Sequence, residues 1–269
     1  MAASQDSADI SVYTIGGTNF LGDVSNVVYT VQTDTQDGST IGMDGKSMQI
    51  TKQSATIETG FRSTVSGSVR VTNLSISALT IGGVSHIAEL RGGLFEGRII
   101  TDEASGIKDV WKYPQAVKKS FRAVVKLSVP ESAAQAILTS FHADPLSGAA
   151  VFSLTISGTA ITLPMVIKTI KHEMRDSKIQ MLEVHFEDRA AFGSSYPTAP
   201  TGSSTLLAAA FNAIRTPVAV VLTTKASGGV TYSGNFIFSE FGFNFDDSKV
   251  VDTRYKFLSQ GVITAEDPS

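Results

Sequence analysis

A glycine-rich turn near the amino terminus is the residue pattern in this chain that comes nearest to ligand chemistry. Gly16, Gly17 and Gly22 follow a run typical of a strand, and such glycines let backbone amides approach the phosphates of a dinucleotide. Asn19, however, stands where that motif has its second glycine. Residues 23–33 are rich in β-branched side chains, so no helix would begin at the turn. We therefore expect a hairpin turn here and no bound cofactor.

Metal and nucleophile chemistry find little support in the sequence. The chain has no cysteine, which excludes disulfides and thiolate ligands, and it contains neither a Gly-x-Ser-x-Gly motif nor a phosphate-binding loop. Residues 34–45 look like a calcium loop. When Gly38 is aligned with the sixth position of such a loop, however, Thr33 and Asp44 fall at its first and twelfth positions, where Asp and Glu are required. The four histidines lie far apart, at His86, His142, His172 and His185. A two-histidine metal site assembled in space stays an alternative, but we predict no metal, no cofactor and no enzymatic activity.

The composition narrows the class of protein further. With 22 basic and 25 acidic residues among 269, the formal net charge is -3, which removes the general attraction to phosphate that nucleic-acid binders use. No apolar run approaches the roughly 20 residues that a membrane-spanning helix needs. Charged residues make up only 17% of the chain and the mean hydropathy is +0.11, which indicates that partners bury much of the surface.

Alternating apolar and polar residues predict that the chain is mainly β. Strands are expected over residues 122–129, 182–187 and 253–257, and Phe241, Phe243 and Phe245 share one face of a further strand. The alternation in that last strand breaks at residues 239–240, as it does at a β-bulge.

Two segments are predicted to be helices, and they resemble each other. Residues 130–142 and 203–214 each carry an apolar stripe with the spacing i, i+3, i+4, i+7. The stripes consist of Ala134, Ile137, Leu138 and Phe141 in the first segment and of Leu207, Ala210, Phe211 and Ile214 in the second.

The similarity extends to an internal repeat. Each helix is followed by a strand, a glycine-containing turn, a second strand, a turn ending in Asp-Ser-Lys, and a last strand. Upstream, residues 11–24 resemble residues 77–90, since both contain Thr-Ile-Gly-Gly. Along the chain, the two segments that contain Thr-Ile-Gly-Gly come one after the other, and the two segments that contain the helices follow them. This order predicts that residues 77–195 form a domain inserted into an outer domain made of residues 1–76 and 196–269. A single irregular β domain is the alternative.

Several of these pieces together resemble the bacteriophage tail tube proteins, also called major tail proteins. Residues 227–245 run through Tyr232-Ser233-Gly234 into a long strand and an Asp-Asp-Ser-Lys turn, and the last strand contains Gly261. Residues 94–113 are similar to the long loop of that family between paired strands. The resemblance is one of pattern and covers most of the chain diffusely.

The resemblance implies the fold and the partners. It implies two tail-tube-like β-sandwich or barrel domains, each with a flanking helix. Copies of the chain would form a trimer with pseudo-sixfold symmetry, or a hexamer, and the rings would stack into the tube of a virion tail. The tube would conduct DNA without binding it specifically, and other tail proteins would be partners. The protein would be made in the cytoplasm of the bacterial host and would contact no membrane.

Contacts between subunits or rings are expected from a small group of residues. Trp111, Tyr113 and Arg98 belong to the tube-like long loop, where aromatic and arginine side chains are favoured anchors; Asp37 and Gly38 belong to a second loop. Two alternative functions stay open. The chain could be a baseplate hub or another virion component, or it could be a β-sandwich module that binds a carbohydrate or another ligand.

Overall fold

A computed structural model describes the fold as a large antiparallel β-sheet of fourteen strands with one helix among the described residues. These residues are 10–21, 24–37, 48–61, 75–106, 108–143, 149–156, 159–173, 179–188, 217–224, 228–246 and 251–267. The predicted helix over residues 203–214 lies outside them. The elements are β1 (Val12–Ile15), β2 (Thr18–Asn19), β3 (Val24–Asp37), β4 (Met48–Phe61), β5 (Ile76–Ile81), β6 (Val84–Ser85), β7 (Leu90–Glu103), β8 (Pro114–Pro130), α1 (Glu131–Ala143), β9 (Ala149–Ile156), β10 (Thr159–Glu173), β11 (Ile179–Asp188), β12 (Val218–Thr223), β13 (Thr231–Asp246) and β14 (Val251–Glu266).

The glycine-rich turn at the amino terminus is a tight hairpin, as the sequence predicted. Gly16 and Gly17 join β1 to β2 with φ values of 57° and 79°, a conformation that glycine adopts without steric cost. Gly82 and Gly83 join β5 to β6 in the same way, with φ values of 59° and 84°. The shared Thr-Ile-Gly-Gly sequence therefore encodes the same local structure twice.

The order of strand pairing also occurs twice. We call β1–β4 and β12–β14 the outer strand set, and β5–β11 the inner strand set. In the outer set the strands pair in the order β2-β1-β12-β13-β14-β4-β3, and in the inner set in the order β6-β5-β9-β10-β11-β8-β7. Strand for strand these orders are the same. Because β1 pairs with β12, the outer set is assembled from the two ends of the chain.

Irregularities in the ladders confirm this correspondence residue by residue. The β3–β4 ladder shifts register between Asp34 and Thr35, and the β7–β8 ladder shifts 66 residues later, between Ile100 and Thr101. The β13–β14 ladder shifts between Phe238 and Glu240, as the sequence pattern predicted. The β10–β11 ladder shifts at the corresponding place, 71 residues earlier. Equivalent positions thus differ by 66 residues in β1–β8 and by 71 in the β13–β14 and β10–β11 ladders.

Side chains that alternate along these strands build one apolar core. In β11, Leu182, Val184 and Phe186 are buried, as their alternation predicted, and Phe186 packs against Phe152 with ring centroids 5.1 Å apart. Helix α1 contacts β8 and β11. It begins at Glu131, one residue later than predicted, because Pro130 still pairs with β11.

A buried hydrogen bond shows how the outer strand set curls over on itself. The hydroxyls of Tyr13 on β1 and Thr59 on β4 lie 2.6 Å apart, although β4 is four strands away from β1 along the sheet. Both residues are fully buried. Burial raises the pKa of the Tyr13 phenol far above its ordinary value, so the group stays neutral. The equivalent residues of the inner set, Leu79 and Val125, are apolar and equally buried.

The inner set therefore supplies a replacement for this polar pair. We expect Thr59→Val alone to lower the free energy of unfolding by about 1–3 kcal/mol, because the Tyr13 hydroxyl is left buried without its partner. The double variant Tyr13→Leu, Thr59→Val should recover part of that loss. Urea unfolding of the wild type, both single variants and the double variant measures the coupling between the sites. Strictly additive losses would contradict the prediction.

Candidate assembly interface

Among the described residues, one strand pair joins the outer and inner strand sets, and we call it the internal joint. Residues 240–246 of β13 pair antiparallel with residues 92–98 of β7, with Phe243 opposite Phe95. Strand β14 pairs along the opposite edge of β13. On the edge that carries the internal joint, β12 pairs with the first part of β13. Because β12 covers only the first part of this edge, the remaining part is free to pair with β7, which is the edge strand of the inner set.

Aromatic side chains cover the core side of the internal joint. The ring of Phe95 lies 6.1 Å from that of Phe243 and 5.9 Å from that of Phe121, so three strands contribute to one cluster. Gly97 makes room for this cluster, because a Cβ atom there would overlap the ring of Phe241. Close packing at this joint depends on a large side chain on one strand and none on the other.

Ion pairs cover the opposite side of the internal joint. Glu240 lies 3.7 Å from Arg98 across the joint and 3.1 Å from Arg254 on β14. Glu96 is almost fully buried, and its Oε1 lies 2.8 Å from Arg122 and 3.2 Å from Arg98. Carboxylates and guanidinium groups thus alternate across β8, β7, β13 and β14, and the two arginines neutralise the buried Glu96 charge.

The same pattern continues over the neighbouring strands, and together these residues form what we call the charged face. It comprises Glu58, Glu96, Arg98, Arg122, Lys126, Lys171, Glu183, Glu240, Arg254 and Lys256. Hydrogen bonds from Lys171 and His185 lower the pKa of Glu183 to about 2. The hydrogen bond from Lys256 lowers the pKa of Glu58 in the same way. Each basic residue of the charged face lies within 4.0 Å of a carboxylate.

The segment between β7 and β8 holds the two strand sets together at a second place. We call residues 104–113 the connecting segment; the structure describes all of it except residue 107. The Gln53 amide of β4 donates to the Val110 carbonyl, and the Lys112 amide donates back to the Gln53 carbonyl. The Lys112 ammonium also lies 2.6 Å from Asp34 on β3. This short ladder fixes the connecting segment along the outer set.

Gly261 lets the end of the connecting segment lie against β14. Its amide donates to the Lys112 carbonyl, and its φ of +90° is one that other residues rarely adopt. A Cβ atom at Gly261 would come within 2.7 Å of the Tyr113 ring. The glycine on which the family resemblance drew thus provides space for one of the aromatic residues expected to make contacts.

The residues predicted to contact other subunits occupy different places. Arg98 lies in the internal joint, and Trp111 forms a bridge with Gln53 on β4, so both make contacts within the chain. Tyr113 covers Gly261 and keeps 39% of its surface exposed. Asp37 ends β3, and Gly38 lies outside the described residues. Their contacts with other subunits stay a prediction.

Sequence reasoning missed the residues that make the internal joint. Glu240 belongs to a strand that was expected, but Gly97 and Arg98 lie in residues 94–113, which were expected to form a long loop. That expectation was wrong for residues 94–103, which belong to β7 because they pair with β8 on one side and, in part, with β13 on the other. No sequence feature paired β7 with β13. The only available signal was the internal repeat together with a glycine inside a strand, which often marks a close approach by a neighbouring group.

The strand series β3-β4-β14-β13-β7-β8-β11-β10 has at each end a strand edge without a neighbouring strand among the described residues. One belongs to β3, which pairs only with β4. The other is the end of β10 beyond Val166, where β9 stops and only β11 continues beside it. Val28 and Val31 on β3 are 49% and 48% exposed. An apolar strand with an unpaired edge is a template for pairing with another strand.

Other kinds of site find no support in the described part of the chain. No group of three or more His, Asp or Glu side chains there could hold a metal ion. No helix among these residues has both the length and the apolar character to span a membrane. A cleft of about 380 Å³ lies between the strand sets, lined by Asp102, Gln115, Ala116, Val117 and Gln260.

Comparison of the chain with protein-family models, with curated proteins and with solved structures finds no match.

The packing at Gly97 generates a prediction about the internal joint. We expect Gly97→Val to lower the free energy of unfolding by about 1–3 kcal/mol, because the new side chain overlaps the Phe241 ring. Adding Phe241→Ile should restore part of the loss, since the smaller side chain leaves the required volume. Chemical denaturation of the two single variants and the double variant measures this coupling.

Gly242→Ala is the matched control for this experiment. Gly242 also lies in the internal joint, but a Cβ atom there would meet only the Leu94 side chain, at an ordinary 3.7 Å. Its free energy of unfolding should stay within about 0.5 kcal/mol of the wild-type value. A Gly97→Val variant as stable as this control would show that the internal joint is not packed as described.

Proposed function

We propose that the chain is a virion structural protein of the tail tube type, which assembles into stacked rings and has no enzymatic activity. The observation that carries this proposal is the pair of vacant strand edges on a sheet that already contains one joint between repeated strand sets. A surface on β10 and a different surface on β3 make a head-to-tail contact, and head-to-tail contacts generate rings or filaments.

The sheet itself supports a ring with a continuous wall. Eight strands follow one another in the order β3-β4-β14-β13-β7-β8-β11-β10, with a vacant edge at each end. If the two strand sets are two tube-like domains, three chains would close a wall with pseudo-sixfold symmetry. Closure would cover the vacant edges at both ends of this series, and covered edges protect a β-rich protein from uncontrolled association.

The charged face supports passage of DNA without retention. Phosphate-binding surfaces present basic groups that are free to neutralise the backbone. On the charged face, by contrast, each arginine and lysine already lies beside a carboxylate, as Arg98 and Arg254 do beside Glu240. With six basic and four acidic residues, a lumen lined by this face would offer a DNA duplex a net charge of +2 per chain, and none of the six basic groups would be free of a carboxylate.

The alternatives differ in what supports them. A baseplate hub would use the same ring, so the observations above apply equally to it. A carbohydrate-binding module would need a concave aromatic site. None of the described residues that line the cleft between the strand sets is aromatic. The Tyr232 ring is partly buried against Tyr29, with ring centroids 4.4 Å apart.

Electron microscopy of the purified protein, with light-scattering mass on the same sample, tests the proposal. We expect rings or hollow tubes, and a ring mass of three times 28.4 kDa if each chain contributes two tube-like domains. Six chains per ring would remove the pseudo-sixfold interpretation but keep the tube. A monomer at high concentration would contradict the proposal and favour the ligand-binding module.

The charged face generates a separate prediction for the assembled protein. Glu58→Gln, Glu183→Gln and Glu240→Gln together should make the tubes retain short duplex DNA, because their basic partners lose their carboxylates. The retention should weaken about tenfold or more between 50 and 200 mM salt. Sedimentation of tubes with labelled DNA measures it.

A variant with the same net charge provides the control. Glu131→Gln, Glu266→Gln and Asp267→Asn also remove three negative charges, but at exposed positions outside the charged face. These tubes should bind as little DNA as wild-type tubes do. If wild-type tubes retain DNA as strongly as the charged-face variant, the neutralised lumen is refuted.

A further inference from the structure

The internal joint provides a template for a contact that the chain lacks within itself. In the joint, the end of β13 pairs with β7. The equivalents of these strands are β10 in the inner set and β3 in the outer set. These are the two strands that carry the vacant edges. The chain therefore contains an equivalent of each strand of the internal joint, but these two equivalents, β10 and β3, do not pair with each other within the described chain.

The correspondence between the strand sets fixes the register of this missing contact. Residues 240–244 of β13 correspond to residues 169–173 of β10, 71 positions earlier, because both strands follow the same bulge. Residues 94–98 of β7 correspond to residues 28–32 of β3, 66 positions earlier.

We propose that a second copy of the chain binds by strand addition, with residues 28–32 of one copy pairing antiparallel with residues 169–173 of the next. In this interchain joint Val31 lies opposite Ile170, Thr30 opposite Lys171, and Tyr29 opposite His172. The inference deepens the proposed function and rests on it, since it names the partner surface and register by which the ring would form.

The side chains on the core side of the two edges complement each other. In the internal joint the large Phe241 packs over Gly97, whereas the equivalent residues Ile170 and Val31 are both of intermediate size. The volume is divided differently between the partners, but both pairs are apolar and would fill the space between the strands. A Phe at position 170 would not fit beside Val31, so the two substitutions belong together.

Burial at these positions indicates that a partner is missing. Phe241 and Phe243 are buried in the internal joint, but their equivalents Ile170 and His172 are only half-buried. The Nε2 atom of His172 is shielded from solvent and has no hydrogen-bond partner among the described residues. A second copy would cover this side of β10 with Val31 and Tyr29, as β7 covers the equivalent side of β13.

Cysteine pairs test the register directly, because the chain has no cysteine of its own. Lys171 and Thr30 are both exposed, and their Cα atoms would lie about 5 Å apart in the interchain joint, within disulfide range. We expect the variant Thr30→Cys, Lys171→Cys to form interchain disulfides in most chains upon mild oxidation. Non-reducing gels should show dimers and trimers, and no larger species if the ring has three chains.

An out-of-register pair is the matched control. Gln36→Cys with Lys171→Cys uses another exposed residue of β3, but moves the cysteine by six residues, or about 20 Å. This variant should stay uncross-linked. Gln32→Cys with Thr169→Cys is a second in-register pair and should repeat the result if the first variant folds poorly. Equal cross-linking of in-register and out-of-register pairs, or none in either in-register pair, would overturn the interchain joint.

The test separates this inference from the proposed function. If rings form while both in-register pairs stay uncross-linked, the interchain joint is wrong and the tube assignment survives. If in-register disulfides form but lead to an open ladder without rings, the joint stands and the tube assignment fails. Single-cysteine chains, one with Thr30→Cys and one with Lys171→Cys, should yield dimers only when mixed, which establishes that the bond joins two copies.

Discussion

Hydrogen bonding between β7 and β13 is the constraint on which the rest of the structure depends. A strand in the middle of a sheet must satisfy its backbone groups on both sides, and without β7 the end of β13 would have a partner on one side only. Once the two strands pair, Phe95 and Phe243 meet on one face, and Arg98 and Glu240 meet on the other. The aromatic cluster around Phe95, the ion pairs across the joint and the eight-stranded series all follow from this pairing.

Ion pairing between neighbouring strands also explains the low content of charged residues. On the charged face each carboxylate lies near the basic groups of neighbouring strands, as Glu183 does near Lys171 and Lys126. Six basic side chains share four carboxylates on this face, so ten charged residues cover a broad sheet with a net charge of only +2. The opposite face needs no charge, because it forms the core.

Local patterns predicted several of the elements but not their long-range partners, and residues 94–103 of β7 were expected in a loop. The Thr-Ile-Gly-Gly hairpin, the alternation around Phe186 and the bulge beside Ser239 depend on neighbouring residues, so the sequence displays them. Pairing between β7 and β13 depends on which edges stay vacant after every other strand has found its neighbour, and no local pattern records that. The contact between Gly97 and Phe241 was hidden for the same reason, since each residue is ordinary within its own strand.

Differences between equivalent positions indicate how the two joints divide the work of assembly. The internal joint connects parts of one chain, so its effective concentration is high and its Phe-rich packing forms with the fold. The proposed interchain joint must form between separate molecules, and its core residues are smaller or partly polar, as Ile170 and His172 are beside Val31 and Tyr29. A weaker joint of this kind lets chains fold first and associate afterwards. The same type of strand pairing would then form once during folding and once during assembly. The side chains at the two joints would determine which of them forms first.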